Sequence, residues 1–250
     1  MGSALFYCLL CVTGLLPALS YSQDDFVCSR ATYYGSPDCY GTPTGACGFG
    51  EYGRNIYDGH VSGVSKLWRD GSGCGACYQV RCTNPELCAE DGVNVVVTDH
   101  GEGDHTDFIL SPRAYAWMAK SNDKAEQLFA YGVVDVEFRR IPCRYPGTKT
   151  VFKVHEHSNN PNYLAIVILY QAGKNDVLNM QIWQEDCKEW RSMRRVFGTV
   201  FDAENPPRGP VSLRLQVTGS HGSYIWLEAW NVIPADWKGG VAYQSDIELH

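Results

Sequence analysis

The cysteines of this chain are concentrated in its first half, and this limits what that half can fold into. Eight of the eleven cysteines lie between residues 28 and 143, and only Cys187 follows them. In an exported protein, cysteines at this density are typical of a loop-rich domain held together by disulfides. The spacing of Cys74 and Cys77 also suits a pair of zinc ligands, which is the alternative interpretation.

The first 22 residues have the composition of a signal peptide. They carry no charged side chain, and their apolar run is broken by Gly14 and Pro17, so it is too short and irregular for a membrane span. Residues 18–20 have the small-x-small form of a cleavage site. We therefore expect export, disulfides rather than zinc, a free thiol at Cys187, and no membrane association after cleavage.

The composition favours an uncharged polymer as the partner. The formal net charge is −7, which argues against nucleic acid, because nucleic-acid binding needs a basic surface, and against a polyanionic ligand. The chain contains 15 Tyr, 9 Phe and 7 Trp. Such an excess of aromatic rings supplies either stacking surfaces for sugars or large core side chains. We expect a neutral polysaccharide ligand and no cofactor.

Short apolar runs separated by turn residues predict an all-β protein of two domains. In residues 26–145, many short strands and one clear helix, which Ser111 caps and Pro112 begins, predict a β-barrel. Residues 146–150 predict a linker. In residues 151–250, the spacing of strands and turns is typical of an antiparallel β-sandwich. The strands of this half are predicted at 151–155, 163–170, 177–183, 211–217 and 224–230.

An acidic segment follows the most strand-like run of the first domain. Residues 93–98 are β-branched and apolar, and they lead into Asp99. Residues 99–107 then hold four carboxylates and two histidines. Such a cluster at the end of a strand suits acid/base work on a glycosidic bond, but it also suits an ordinary solvated loop.

Several motifs, in this order along both halves, resemble those of plant expansins, and specifically their expansin-like B branch. They are Ala31-Thr32-Tyr33-Tyr34-Gly35, Gly45-Ala46-Cys47-Gly48, Gly71-Ser72-Gly73-Cys74-Gly75-Ala76-Cys77-Tyr78, Val97-Thr98-Asp99, the segment from Asn231 to Lys238, and Tyr243-Gln244-Ser245. The resemblance implies a six-stranded double-psi β-barrel like that of family 45 endoglucanases. An immunoglobulin-like β-sandwich that binds polysaccharide would follow it.

The resemblance also implies a disulfide pattern. Three barrel disulfides are expected at Cys47–Cys74, Cys77–Cys143 and Cys82–Cys88. The two cysteines left over, Cys28 and Cys39, are expected to form a fourth disulfide specific to the branch.

Carried over residue by residue, the resemblance places a polysaccharide groove on the barrel. Thr32 and Tyr34 match groove-floor positions, and Asp99 matches the aspartate after the central strand. The family's general-acid position is Ile109 here, and an isoleucine cannot transfer a proton. Asp107 lies about 6–7 Å away along a strand, outside the reach of proton transfer to the same atom. We expect Asp104 and Asp107 to contact sugar hydroxyls or to be exposed loop residues, and Asp38 is a weak candidate base.

In the second domain the resemblance implies a row of binding aromatics. Tyr163 matches one position, and Phe197 stands where many members have tryptophan. Trp183, Trp226 and Trp230 are further candidates. Trp237 is interpreted as structural, and the basic run at 191–195 as a solvated strand edge that could alternatively contact acidic polymers.

These observations predict a secreted monomer of the plant cell wall that binds cellulose or xyloglucan and loosens the wall without hydrolysis. No catalytic residue and no metal are expected. Two alternatives remain: an endoglucanase or lytic transglycosylase that uses Asp99, and a barwin-like defence or carbohydrate-binding protein without loosening activity.

Overall fold

Six strands from the first half of the chain close into a barrel. The computed structural model describes residues 25–103, 106–218 and 222–249. The predicted signal peptide, residues 1–22, lies outside these ranges. The barrel strands are β1 (Val27–Tyr33), β2 (Val61–Val64), β3 (Cys77–Cys82), β4 (Val93–His100), β5 (Phe108–Leu110) and β6 (Val134–Ile141). Their order around the barrel is β1-β5-β2-β4-β3-β6.

Alternate residues along the barrel strands fill the interior of the barrel with apolar side chains. The interior core includes Ala31, Tyr78, Val95 and Phe108, each on a different strand. Successive residues of a strand point to opposite faces, so the residues between these positions are free to form an outer surface. That surface carries the groove described below.

Three short α-helices accompany the barrel: α1 (Glu51–Asn55), α2 (Pro112–Trp117) and α3 (Asn122–Tyr131). The predicted helix is α2, where the Ser111 hydroxyl accepts a hydrogen bond from the Ala114 N–H at 3.1 Å. The expectation of one clear helix was wrong, because α3 follows with Ser121 as its own cap. Short 3-10 segments also occur at Ile56–Gly59 and Lys66–Gly71.

Three disulfides cross-link the barrel, and they join the pairs that the resemblance implies. They are Cys47–Cys74, Cys77–Cys143 and Cys82–Cys88. Because Cys74 and Cys77 both take part, the zinc-ligand interpretation of their spacing is wrong.

The expected Cys28–Cys39 disulfide is also wrong, since both cysteines are free thiols. Cys28 pairs with Glu137 near the start of β1, whereas the Cys39 carbonyl accepts from the Arg113 N–H beyond its far end. Most of β1 separates them, at about 3.3 Å per residue, and a disulfide requires Cα atoms within about 7 Å. Cys187 is free and exposed.

The second half forms a sandwich of two antiparallel sheets, one of four strands and one of five. Its core includes Phe152, Ile166, Met180, Leu215 and Trp237. The strands are β7 (Val151–Val154), β8 (Tyr163–Leu169), β9 (Val177–Gln184), β10 (Glu189–Ser192), β11 (Arg194–Phe197), β12 (Val200–Glu204), β13 (Val211–Thr218), β14 (Tyr224–Ile233) and β15 (Ala242–Gln244). The four-stranded sheet has the order β10-β9-β13-β14, and the five-stranded sheet has the order β11-β12-β8-β7-β15.

Strand β8 belongs to two cores at once. Its even-numbered residues, such as Ile166 and Ile168, pack inside the sandwich. Its odd-numbered residues Ala165, Val167 and Leu169 pack against the barrel core. The five-stranded sheet is therefore the middle layer of the molecule, and the four-stranded sheet faces away from the barrel.

Polar contacts fix the barrel against the sandwich. Asp176, before β9, binds Arg69 at 2.7 Å and Arg140 at 3.1 Å, and its side chain is only 12% exposed. The Thr199 N–H and hydroxyl both donate to the Cys47 carbonyl at 3.1 Å. Among the residues the structure describes, none belongs to a helix long and apolar enough to cross a membrane.

Candidate functional site

Four residues from four neighbouring barrel strands form one row, which we call the floor row: Thr32, Ile109, Gly63 and Asp99. Thr32 pairs with Ile109, Ile109 with Gly63, and Gly63 with Asp99. A Cβ at Gly63 would lie 3.6 Å from the Asp99 Cβ and 3.8 Å from the Ile109 Cβ. Because Gly63 has no side chain, the row is a shallow channel between a carboxylate and an apolar wall.

Asp99 is held in place by backbone donors. Its Oδ1 accepts from the Ala46 N–H at 2.7 Å and from the His100 N–H at 2.8 Å. The His100 ring stacks on Trp68 at 4.9 Å. The second carboxylate oxygen of Asp99 is the one that can face a ligand, as an acceptor for a sugar hydroxyl.

Tyr34 continues the groove beyond β1. Burial, together with the negative charges of Asp99 and Asp38, raises the pKa of its phenol. Tyr34 therefore stays protonated and can donate a hydrogen bond. It lines a cavity of about 270 Å³ with Asp38, Thr42 and Arg54.

Asp38, the weak candidate base, is paired with Arg54. The hydrogen bond from that guanidinium, with help from the Ser36 hydroxyl and the Tyr40 N–H, lowers the pKa of Asp38 to about 2. A carboxylate that holds protons so weakly is a poor general base. Its contacts suit a structural role in the loop beside Tyr34.

Two of the remaining predicted groove residues use their side chains in hydrogen bonds within the protein. The Thr32 hydroxyl donates to the Gly132 carbonyl at 2.9 Å, so part of its hydrogen-bonding capacity is used internally. Asp107 directly precedes β5, and its carboxylate accepts a hydrogen bond from the Ser29 hydroxyl at 2.8 Å. Asp104 lies outside the described residues.

Phe197 lies where the sandwich meets the groove. A Cβ added at Gly48 would lie 2.8 Å from the Phe197 ring, so this ring covers Gly48. Two residues before Gly48, the Ala46 N–H donates to the Asp99 carboxylate. Phe197 is nevertheless 45% exposed. The Asp99 end of the floor row and this aromatic ring therefore belong to one continuous surface.

A polar network continues this surface along the five-stranded sheet. The Tyr163 hydroxyl donates to Asp202 at 2.9 Å, and Arg194 donates to the same carboxylate at 2.6 Å. The Arg194 hydrogen bond is the main cause that lowers the pKa of Asp202, whereas burial and the bond to Asp202 raise the pKa of Tyr163. Arg194 itself is 72% exposed and available to a ligand.

The basic run at 191–195 therefore does not act as a uniform solvated edge. Arg191 donates to the Glu204 carbonyl, and Arg194 joins the network just described. Arg195 is turned inward, where it donates to backbone carbonyls including that of Val177 at 2.7 Å, and burial lowers its pKa to about 10.

The tryptophans proposed as further binding residues lie on the other sheet. Trp183 is on β9, and Trp226 and Trp230 are on β14, while Tyr163 and Phe197 belong to the five-stranded sheet. They do not extend the row that contains Tyr163 and Phe197. Trp237 is only 3% exposed and lies in the sandwich core, as its structural interpretation expected.

Sequence reasoning missed Gly63 and Asp202. Gly63 matters because it lacks a side chain between two facing positions, and only strand register reveals that. Asp202 lies in a strand that the pattern did not predict. An aspartate between apolar residues, as in Val200-Phe201-Asp202-Ala203, is the signal that could have found it, since a buried carboxylate needs a partner.

The floor row presents one carboxylate opposite an isoleucine. Glycoside hydrolysis normally uses two carboxylates about 5–9.5 Å apart. The arrangement instead offers an acceptor, a phenol donor, an apolar wall and an aromatic ring in sequence. These groups suit non-covalent binding of a sugar polymer.

Two family models match the chain. A model described as lytic transglycolase matches residues 60–138, which include Gly63, Asp99 and Ile109 of the floor row but not Thr32, and a model described as the Expansin C-terminal domain matches residues 151–234. The first match lies within the barrel and leaves out β1, and the second lies within the sandwich and leaves out β15.

Curated relatives match over nearly the whole chain. Expansin-like B1 of Arabidopsis thaliana is 61% identical over 94% of this chain and 93% of its own length. Expansin-like B1 of Oryza sativa subsp. japonica is 43% identical over 95% of this chain and 94% of its own.

Solved structures match the fold. The crystal structure of apo Clavibacter michiganensis expansin has a TM-score of 0.65 at 18% identity and covers 90% of this chain. A mutant of the same expansin in complex with cellohexaose has a TM-score of 0.66 at 17% identity. At such identities the likeness supports the architecture alone.

Proposed function

The chain belongs to the expansin family, in its expansin-like B branch, and from this premise we propose that it binds cellulose or xyloglucan and loosens the plant cell wall without hydrolysis. The protein would be secreted as a monomer into the wall, away from membranes and nucleic acid. The polymer would lie along Tyr34 and the floor row, then continue over Phe197 to Tyr163.

The observation that carries this proposal is the Asp99–Gly63–Ile109 arrangement. This arrangement forms a channel that is open to a polysaccharide chain but contains only one carboxylate. Ile109, on the other side of the channel, cannot exchange a proton. Ring faces and hydrogen-bonding groups along the channel can compete with contacts between glucan chains. The cellohexaose complex of the bacterial expansin supports a β-glucan as the ligand class.

A second candidate function is bond cleavage by Asp99, as in a family 45-like endoglucanase or a lytic transglycosylase. The family model that matches residues 60–138 favours it, because its description is that of an enzyme. Against it stands the apolar residue opposite Asp99, which leaves no general acid at that place. A barwin-like binding role without loosening is a further outcome that the experiment below separates.

The test is extension of a heat-killed plant wall strip under constant load at acid pH, with reducing sugar measured in the same bath. We expect wild-type protein to extend the wall without releasing sugar. Ile109→Asp places a carboxylate across Gly63 from Asp99, and we expect faster extension from it. Ile109→Asn is the matched control, since it adds polarity without an ionisable proton.

Other results would overturn the proposal. Sugar release that disappears in Asp99→Asn would favour the enzyme. No extension, with preferential binding to chitin, would favour the defence protein. No extension, with retained binding to cellulose, would leave a polysaccharide-binding protein without loosening activity.

A further inference from the structure

The outer surface of the four-stranded sheet carries four of the seven tryptophans of the chain. We call the surface formed by Trp183, Trp190, Trp226 and Trp230 the tryptophan face. Trp190 pairs with Trp183 across β10 and β9, and Trp226 pairs with Gln216 across β14 and β13. Leu213, Leu215 and Val217 of β13 point into the sandwich core, so the residues that alternate with them point outward, away from the barrel.

The rings of this face are fixed by neighbouring charged groups. The Trp183 indole donates to Glu185 at 2.8 Å, and the Trp230 indole donates to Glu228 at 3.0 Å. The Arg214 guanidinium lies 4.6 Å from the centre of the Trp190 ring and 4.3 Å from that of Trp226. Side chains held in this way lose little conformational entropy when a ligand stacks on them.

The rings nevertheless remain accessible. Trp226 is 37% and Trp230 is 54% exposed, and Tyr224 extends the same strand at 62%. A cluster that served only to stabilise the sheet would gain most by covering these rings. Exposed apolar groups concentrated on one surface are typical of an interaction site.

We propose that the tryptophan face is a second polysaccharide-binding surface, which takes a single glucan chain on the side of the sandwich opposite Tyr163 and Phe197. The choice of a glucan rests on the proposed function, whereas the site itself rests on the geometry above. Between the rings stand groups that can bind sugar hydroxyls, among them Gln181, Ser192 and Gln216.

The ring angles favour a single chain over a crystalline surface. Trp183, Trp190 and Trp230 meet one another at interplanar angles of 60–67°. Rings at these angles cannot all lie flat on one plane of sugars, as a crystal surface would require. A chain free to twist can present successive sugar faces to them.

The charges on the face disfavour a protein partner, including a second copy of this chain. The centre of a protein interface is depleted of charged residues. Here Arg214 and Glu228 stand among the rings, 3.7 Å apart. Neutral sugars can hydrogen-bond to such groups at the edges of their rings while stacking on the indoles.

The first experiment uses indole fluorescence during titration with cellohexaose. Tyr163 and Phe197 contain no indole, so an emission change reports on tryptophans elsewhere. Trp68, which stacks on His100 next to Asp99, is replaced by phenylalanine to silence the groove. We expect the change to persist in Tyr163→Ala/Phe197→Ala and to disappear in Trp226→Ala/Trp230→Ala.

The second experiment measures retardation of the full chain in gels that contain soluble hydroxyethylcellulose. We expect Trp226→Ala/Trp230→Ala to bind about tenfold more weakly in the Tyr163→Ala/Phe197→Ala background, a loss consistent with two aromatic contacts. Trp226→Phe/Trp230→Phe should restore most of the affinity. Trp117→Ala removes a 61% exposed tryptophan on α2 and is the matched control.

The outcomes separate the two proposals. If only Tyr163→Ala/Phe197→Ala weakens binding, the tryptophan face is refuted and the proposed function stands. If wild-type protein binds no polysaccharide, the proposed function fails as well. If sedimentation shows a wild-type dimer that Trp226→Ala/Trp230→Ala converts to monomer, the occupant is a second copy and the glucan assignment is wrong.

Discussion

At the scale of single residues, Asp99 has a structural task as well as a binding one. Its carboxylate satisfies the Ala46 and His100 N–H groups. We expect Asp99→Ala to lower the free energy of unfolding by about 1–3 kcal/mol, because both donors lose their acceptor. Asp99→Asn keeps an acceptor oxygen and should cost clearly less. Urea unfolding of both variants measures this, and equal losses would contradict the assigned role.

The buried environment of His60 predicts that the protein loses stability in acid. Burial, with a contribution from the nearby Arg113 charge, lowers the pKa of its imidazole, and its Nε2 is buried without a hydrogen-bond partner in the described part of the chain. The unfolded chain therefore binds a proton first as the pH falls. The stabilising contribution is complete above the unfolded pKa of about 6.5 and is lost as the pH falls towards the folded value.

The measurement is the melting temperature at pH 7 and at pH 5. We expect it to fall in the wild type and to fall less in His60→Gln, which cannot titrate. Burial lowers the pKa of His155 in the same way, so part of the fall should remain in the variant. Identical pH profiles for wild type and variant would show that His60 is not responsible.

At the scale of elements, the turn between β11 and β12 is where the sandwich reaches the disulfide-bonded loop of the barrel. Gly198 has a φ of +47°, and a Cβ there would lie 2.5 Å from the Cys47 Cα. We expect Gly198→Ala to destabilise the protein by at least about 2 kcal/mol more than the strain of a positive φ alone would, because the backbone at Cys47 must move to admit the added Cβ.

Gly147 provides the control for that comparison. Its φ is +75°, but nothing lies within 4 Å of the added Cβ, so Gly147→Ala measures the strain by itself. Urea unfolding of the two variants gives the difference. If both lose the same stability, the close approach of Gly198 to Cys47 does not constrain the fold.

Elements with a strong local pattern were predictable from the sequence. The strands predicted at 163–170 and 177–183 end within one residue of their observed bounds, and Ser111 and Pro112 identified the start of α2. Strands β10, β11 and β12 were missed, because each has only four or five residues and contains charged residues that interrupt the apolar pattern.

The candidate site was only partly predictable, for a related reason. Asp99 and Ile109 could be identified by matching the sequence to the motifs of the family. Their shared neighbour Gly63 is revealed only by the pairing of strands that are distant in the sequence. The faces of the tryptophans could not be read from alternation alone. The register shifts where β13 pairs with β14 and with β9, and the extra residues lie in β14 and β9, two of the strands that carry the tryptophans.

At the scale of the whole molecule, Asp176 couples the two domains through Arg69 and Arg140. We expect Asp176→Ala to cost about 2–3 kcal/mol. This is below the 3–5 kcal/mol typical of a fully buried pair, because Arg69 is 44% exposed. Calorimetry should show one unfolding transition in the wild type and two separated transitions in the variant.

The control for this prediction is Asp246→Ala. Asp246 is fully exposed and lies 3.8 Å from Lys149, so its loss should leave the unfolding transition essentially unchanged. A single transition at the wild-type temperature in Asp176→Ala would show that the apolar contacts of β8 alone couple the domains.

The double role of β8 also bears on how such a protein can evolve. A recombination event that replaced residues 151–250 would bring a foreign strand whose outward side chains must match the barrel where Ala165, Val167 and Leu169 do now. The strand as a whole is subject to selection from two cores, because its alternate residues face the sandwich and the barrel. Barrel and sandwich are therefore expected to be inherited as a pair, and new specificities to arise on their outer surfaces rather than by exchange of domains.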